Sequence, residues 1–152
     1  MCIRDSLRAV RDQLRYFAGR QIRNAASVGG NIATASPISD ANPVWVAAGC
    51  SIVVRAPSVD DGAEKTLSLA DNFFTGYRKT GIPPDGVIVR VVVPLVQGDE
   101  AQGEKEVVRA FKQAKRRDDD IAIVTSCFAV TVRQEGERWA VKRAKLAFGG
   151  MA

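Results

Sequence analysis

Four apolar residues near the start of the chain recur at helical spacing: Leu7, Val10, Leu14 and Phe17. Charged residues lie between them, so the pattern predicts an amphipathic helix that ends at Gly19. A second helix is predicted after Ser39 or Asp40, either of which can cap it, and Pro43 suits its first turn. This helix is apolar on nearly all sides and ends at Gly49, so we expect it to be buried.

After the second helix, the pattern changes to β-branched runs separated by turns. Three runs predict strands, the first two of them as a hairpin: 51–56, 64–69 and 87–93. The last run is dense in apolar residues and is therefore expected to form a buried strand. Residues 70–74 predict a short helical turn that buries Phe73 or Phe74.

The polar, glycine-containing stretch 97–105 is the best candidate for a domain boundary. Beyond it, three runs predict a mainly antiparallel sheet: 107–112, 124–133 and 139–148. Apolar and polar residues alternate most clearly at Phe128, Val130 and Val132. We therefore divide the chain into a first domain over 7–96, a linker over 97–105 and a second domain over 106–152.

Residues 19–40 are rich in glycine, serine, threonine and asparagine, and their second half carries almost no charged side chain. At their centre lies the sequence Ser-Val-Gly-Gly-Asn at 27–31. Two adjacent glycines can adopt φ > 0 and allow a close approach, and consecutive N–H groups in such a turn can bind an anion. A tight structural turn followed by a helix cap is the alternative, and spacing alone does not decide between them.

The amino-acid composition excludes several kinds of functional site. The chain has 152 residues, a net charge of +5, no histidine and three widely spaced cysteines. We expect no metal site, no iron–sulfur cluster and no histidine-dependent catalytic triad. The basic residues are scattered among acids, which indicates a solvated surface and no nucleic-acid partner. No apolar run approaches the roughly 20 residues that span a bilayer, and no secretory signal is visible, so we expect a soluble intracellular protein.

Sequence blocks along nearly the whole chain resemble the FAD domain of the xanthine dehydrogenase family of molybdenum hydroxylases. The blocks are FAG at 17–19, QIRN at 21–24, ASVGGN at 26–31, TASPISD at 34–40, FFTGYRKT at 73–80, AFKQA at 110–114, RRDDDIA at 116–122 and FGGMA at 148–152. The glycine block is shared with other flavin subunits of molybdenum hydroxylases. FFTGYRKT and the RRDDDIA block are similar to the xanthine dehydrogenase and aldehyde oxidase branch, and residues 1–6 show no resemblance.

The resemblance implies an α+β fold. It would comprise the C-terminal portion of a PCMH-type FAD-binding domain, then a mainly antiparallel sheet of the CO dehydrogenase flavoprotein C-terminal type. Both are expected to be truncated, because the family domain has a further glycine-containing loop upstream and helices downstream. We therefore expect weak or absent FAD binding by the isolated chain, and no activity of its own.

The resemblance also implies ten residues that contact FAD: Phe17, Ser27, Val28, Gly29, Gly30, Asn31, Asp40, Ile88, Lys112 and Asp119. The residues at 27–31 are expected to hydrogen-bond the cofactor, and Asp40 to accept hydrogen bonds from its ribityl or ribose hydroxyls. Lys112 would stabilise the negative charge of reduced flavin, and Asp119 would be the acid closest to the isoalloxazine. Phe17 and Ile88 would pack on the rings.

Considered from the pattern alone, these positions have structural alternatives. Asp40 can cap a helix, Phe17 and Ile88 suit a core, and Lys112 suits the solvent face of a strand. The resemblance implies no catalytic residue and no metal ligand in this chain.

The family oxidises a purine at a molybdenum cofactor, and electrons pass through two 2Fe–2S clusters to FAD and then to NAD or oxygen. The resemblance implies that this chain, which would bind FAD but neither the clusters nor molybdenum, serves the flavin step of such an oxidoreductase. The parent enzyme is expected to be a homodimer in the cytoplasm, or alternatively in the peroxisome. The remaining alternatives are the FAD domain of an aldehyde oxidase, a basic nucleic-acid-binding module and a non-catalytic fragment.

Overall fold

The computed structural model of the chain describes residues 4–94 and 103–151. The α-helices in this part are α1 (Arg4–Leu14), α2 (Arg20–Ala25), α3 (Val28–Thr34) and α4 (Asn42–Ala47). The strands are β1 (Ser51–Arg55), β2 (Glu64–Ser68), β3 (Phe74–Gly76), β4 (Lys79–Thr80), β5 (Val87–Val92), β6 (Glu104–Gln113), β7 (Val124–Glu135) and β8 (Arg138–Gly149). They pair antiparallel in three sheets, with strand orders β2-β1-β5, β3-β4 and β6-β7-β8. This arrangement confirms the predicted α+β class.

The predicted amphipathic helix is present as α1, but it begins at Arg4 and ends at Leu14, before Phe17. Its buried face carries Ala9 and Gln13, which are 2% and 3% exposed, and the helix packs against β6. Leu14 is 40% exposed and lines an open cleft, whereas Val10 of the same apolar stripe packs against the hydrophobic cores.

Helix α4 confirms the predicted buried helix and lies between the two larger sheets. The Ser39 hydroxyl oxygen accepts a hydrogen bond from the Asn42 N–H at 3.2 Å, so Ser39 satisfies one of the free donors at the start of the helix. Gly49 takes φ of +70° after the last turn, a conformation that favours glycine. Trp45 packs into the core beneath β1, whereas Val44 packs against the β6-β7-β8 sheet.

Two hydrophobic cores flank α4. The first has six large members: Ile32, Trp45, Ile52, Val54, Leu69 and Phe73. The second joins residues of the first half of the chain with residues of the second sheet: Ala9, Val44, Ala47, Val108, Cys127, Ala129 and Ala147. Because these small side chains let helices and sheet approach closely, the two predicted domains share one continuous packed interface.

Two local predictions in the first domain are wrong. Residues 70–72 form bends and Phe74 begins β3, so the helical turn is absent, although Phe73 is buried as expected. Strand β5 is not buried, since Val87 and Val89 are 66% and 46% exposed. It lies at the edge of the β2-β1-β5 sheet, where one side of the strand has no neighbour in that sheet.

The predicted linker 97–105 lies mostly outside the described residues, and β6 begins within it at Glu104. The predicted hairpin of β7 and β8 is confirmed, with Glu135 opposite Arg138 next to the turn. In the part of the chain that the structure describes, no helix is long and apolar enough to cross a membrane.

Candidate functional site

The Ser-Val-Gly-Gly-Asn sequence begins helix α3 and does not form the predicted turn with positive φ. Gly29 and Gly30 lie in the first turn of α3 and both have negative φ. The Ser27 hydroxyl oxygen accepts a hydrogen bond from the Gly30 N–H at 3.0 Å and caps the helix. A Cβ atom at Gly30 would lie 2.8 Å from that oxygen, whereas one at Gly29 would meet nothing within 4 Å. A side chain at 30 would thus make the Ser27 hydroxyl shift, whereas Gly29 leaves open space.

The segment between α3 and α4 connects the glycine helix to the second sheet. The Ser39 hydroxyl donates to Asn31 Oδ1 at 2.9 Å. The Thr125 hydroxyl of β7 donates to the Ser39 carbonyl oxygen at 3.2 Å, and the Gly150 N–H donates to the Pro37 carbonyl oxygen at 2.7 Å. These bonds fix the segment on both sides, so the position of Asp40, the next residue, is fixed as well.

Asp40 and Lys112 form a buried ion pair. Lys112 Nζ lies 2.9 Å from Asp40 Oδ2, and the two side chains are 5% and 8% exposed for Lys112 and Asp40 respectively. The ammonium also donates to the carbonyl oxygens of Tyr16 at 2.7 Å and Asp120 at 2.8 Å. An ammonium has three N–H donors, so all of its donors are used. Lys112 is therefore not the solvent-facing lysine that its strand pattern allowed.

The environment of Asp40 opposes its negative charge. Burial raises the pKa of the Asp40 carboxyl, and the hydrogen bond and charge of Lys112 lower it by less. Asp40 Oδ1 and Gln13 Nε2 are both buried without a hydrogen-bond partner in the described structure. The ion pair thus lies in a site where polar groups have little contact with water and few alternative partners.

Four of the predicted site residues line one apolar cleft of about 160 Å³: Phe17, Ser27, Val28 and Asn31. Val10, Leu14, Ala41 and Trp45 complete much of its wall. The Arg23 guanidinium donates to the carbonyl oxygens of Phe17 and Ala18, which holds the turn that places Phe17 at the cleft. Such a surface can take the face of a planar ring, with the polar residues of α3 at one side.

The other predicted residues lie elsewhere. Ile88 is half-buried against the first core, whose members include Ile32 of α3, and does not line the cleft of Phe17. Asp119 is exposed at φ of +48°, and its carbonyl oxygen accepts from the Arg116 guanidinium at 2.9 Å. Lys112 lines a different cavity from Phe17, so Lys112, Ile88 and residues 27–31 do not line one open cleft.

Three residues that matter for the geometry were not predicted: Gln13, Tyr16 and Asp120. Tyr16 and Asp120 contribute backbone carbonyl oxygens to Lys112, and a backbone contact leaves no mark on residue type. Gln13 could have been found, because it follows Ala9 by four residues and so shares one helical face with it.

No cluster of possible metal ligands occurs among residues 4–94 and 103–151. Cys50 and Cys127 are free and buried. Burial raises the pKa of the Cys50 thiol to about 11 and that of the Cys127 thiol to about 12, so neither provides a reactive thiolate near neutral pH.

Comparison with known proteins identifies the family. Residues 1–96 match the model described as "FAD binding domain in molybdopterin dehydrogenase", and residues 109–152 match "CO dehydrogenase flavoprotein C-terminal domain". A xanthine dehydrogenase of Blastobotrys adeninivorans is 52% identical over 143 residues, which cover 94% of this chain and 9% of that protein. A nicotinate hydroxylase of Emericella nidulans is 50% identical over 146 residues, which cover 96% of this chain and 10% of that protein.

A solved structure shares the fold. Carbon monoxide dehydrogenase from Hydrogenophaga pseudoflava superposes with a TM-score of 0.74 at 24% identity, over 97% of this chain and 46% of that chain. The chain spans about a tenth of the length of the relatives named above. The two matched regions follow each other in the predicted order. The chain therefore belongs to the family of FAD-binding domains of molybdopterin dehydrogenases, and its second region belongs to the CO dehydrogenase flavoprotein C-terminal domain family.

Proposed function

We propose that this chain is the FAD-binding portion of a xanthine dehydrogenase-like molybdenum hydroxylase that oxidises hypoxanthine or xanthine. The observation that carries the proposal is the 52% identity to a xanthine dehydrogenase over 94% of the chain. In such an enzyme, electrons from the purine reach FAD through two 2Fe–2S clusters and leave to NAD or oxygen. The clusters and the molybdenum cofactor belong to other domains of a homodimeric parent enzyme in the cytoplasm or peroxisome.

The described residues fit a part of FAD. The apolar cleft of about 160 Å³ is smaller than the roughly 300–1,000 Å³ of pockets that enclose a whole small molecule. Its apolar wall suits one ring, and the open space at Gly29 permits a close approach to the start of α3. The chain would thus supply one wall of the site. We also propose the division of the chain into a first domain over 7–96, a linker over 97–105 and a second domain over 106–152.

The residues of the cleft would bind and orient the cofactor. Phe17 and Val28 offer apolar contact, and Val28 is 48% exposed and so available. Ser39 donates to Asn31 Oδ1, which leaves the Nδ2 group of Asn31 as its hydrogen-bond donor. FAD, when bound, supplies the capacity to accept and release electrons.

Asp40 and Lys112 would act from beneath the site. Because the three donors of Lys112 are used, we propose that it influences bound FAD through its charge and through the groups that it holds. Ile88 would pack near the cofactor from β5, and Asp119 would lie at its edge, where its carboxylate adds negative charge. The proposal therefore assigns direct contact to the cleft residues and an indirect influence to Lys112.

Binding of FAD to the purified chain tests the cleft. We expect a dissociation constant weaker than about 1 μM, because a single wall buries little of the ligand. Replacing Phe17 with Ala should weaken binding further by about tenfold, whereas Ile22→Ala should not, since Ile22 is exposed outside the cleft. Quenching of FAD fluorescence measures both. Equal losses for the two variants would remove Phe17 from the site, and sub-micromolar binding would show that one wall suffices.

The substrate and electron acceptor are tested on the parent enzyme. The nicotinate hydroxylase at 50% identity favours a second candidate, in which the substrate is a pyridine carboxylate and not a purine. We expect a higher kcat/KM on xanthine with NAD than on nicotinate or an aromatic aldehyde. Turnover confined to nicotinate would move the protein to the second candidate, and turnover of aldehydes with oxygen alone would assign it to the aldehyde oxidases.

A further inference from the structure

The loop at 114–123, between β6 and β7, is organised mainly by its own hydrogen bonds. Asp120 Oδ2 accepts from the Arg116 N–H at 2.8 Å, and Asp120 Oδ1 accepts from the Ile121 N–H at 3.0 Å. At its base, the Ile123 N–H donates to the Gln113 carbonyl oxygen at 2.8 Å. These bonds shape the loop but do not attach it to the helices of the first domain.

Among the hydrogen bonds of the described residues, those that connect the loop to the first domain run through Lys112. Its ammonium donates at once to the carbonyl oxygen of Asp120 in the loop, to that of Tyr16 after α1, and to the carboxylate of Asp40 before α4. The bond to Asp120 is an ammonium–carbonyl bond in a buried site, where a charge-assisted hydrogen bond is strong. One side chain therefore connects three segments that are far apart in sequence.

We propose that Lys112 is a positioning residue that anchors the loop at 114–123 to the first domain. The residue before Asp120 is Asp119, whose backbone is held at φ of +48°, so fixing the Asp120 carbonyl oxygen also fixes the place of the Asp119 carboxylate. That consequence for the flavin edge rests on the proposed function, whereas the anchoring of the loop does not.

Trypsin cleavage of the full chain without FAD tests the anchor. The loop carries Lys115, Arg116 and Arg117, all exposed, and the exposed Arg78 in the turn between β3 and β4 provides a reference site. Lys112→Met should accelerate cleavage in the loop by about tenfold or more relative to Arg78, because the bond to the Asp120 carbonyl oxygen is lost. Lys142→Met is the matched control, since it removes a lysine of an exposed ion pair on β8 and should leave the ratio unchanged.

A double variant separates anchoring from general loss of stability. In Lys112→Met with Asp40→Asn no unpaired charge is left at this buried pair, so part of the lost stability should return while the loop stays open to trypsin. Asp40→Asn alone leaves Lys112 bonded to both carbonyl oxygens, so its loop should stay protected. Parallel acceleration at Arg78 and in the loop, or a return of loop protection in the double variant, would overturn the proposal. Because no cofactor is present, failure here would leave the FAD assignment standing.

Discussion

Lys112→Met is expected to lower the free energy of unfolding by about 3–5 kcal/mol, the usual cost of removing one partner of a buried ion pair. The Lys112 and Asp40 side chains are almost completely shielded from water. Burial already raises the pKa of Asp40 with Lys112 present, so the carboxylate without its partner would be strongly disfavoured. Urea denaturation at neutral pH, followed by circular dichroism, measures the loss.

Two control variants test whether the loss of stability comes from the buried ion pair. Lys142→Met removes a lysine from an exposed ion pair with Glu135, and should cost at most about 1 kcal/mol. Asp40→Asn in the Lys112→Met background should recover part of the loss, because it removes the unpaired charge. If Lys112→Met and Lys142→Met cost the same, Lys112 would be solvated in solution and its three internal hydrogen bonds would not persist.

The sequence predicted helices and strands correctly where the residues of the hydrophobic pattern are the ones that the fold buries. Helix α4 and the β7–β8 hairpin follow from local pattern, since their apolar residues are the ones that the fold buries. Strand β7 shows where the pattern misleads. Its alternation is clearest at Phe128 and Val130, yet the fully buried face carries Cys127 and Ala129. The small residues are buried because α1 and α4 approach the sheet closely on that side.

The candidate site was predicted residue by residue but not in its arrangement. The resemblance supplied the ten positions, and four of them meet in one cleft. The pairing of Asp40 with Lys112 could not be predicted, because the two residues are 72 positions apart and each suited a local alternative. Asp40 suited a helix cap and Lys112 the solvent face of a strand. The glycine pair was interpreted as a turn because adjacent glycines permit φ > 0. In the structure both glycines lie inside α3, whose first turn is capped by Ser27.

Gly150→Ala is the second change with a large expected effect. Gly150 takes φ of +81° after β8, a conformation that costs other residues about 1–2 kcal/mol. A Cβ atom there would also overlap the Ile123 carbonyl oxygen, which is backbone and cannot move without displacing β7. Strain and overlap together predict a loss of about 3–5 kcal/mol in the free energy of unfolding.

The control for Gly150 is Gly136→Ala, in the turn between β7 and β8. Gly136 takes φ of +64°, but a Cβ atom there would meet nothing within 4 Å, so only the backbone strain of about 1 kcal/mol applies. The difference between the two variants in the free energy of unfolding, measured by urea denaturation, isolates the overlap with Ile123. Equal stability losses at the two glycines would mean that the chain after β8 does not pack against Ile123 in solution. The Gly150 N–H also donates to the Pro37 carbonyl oxygen, so Gly150→Ala should disturb the segment before Asp40 and weaken FAD binding as well.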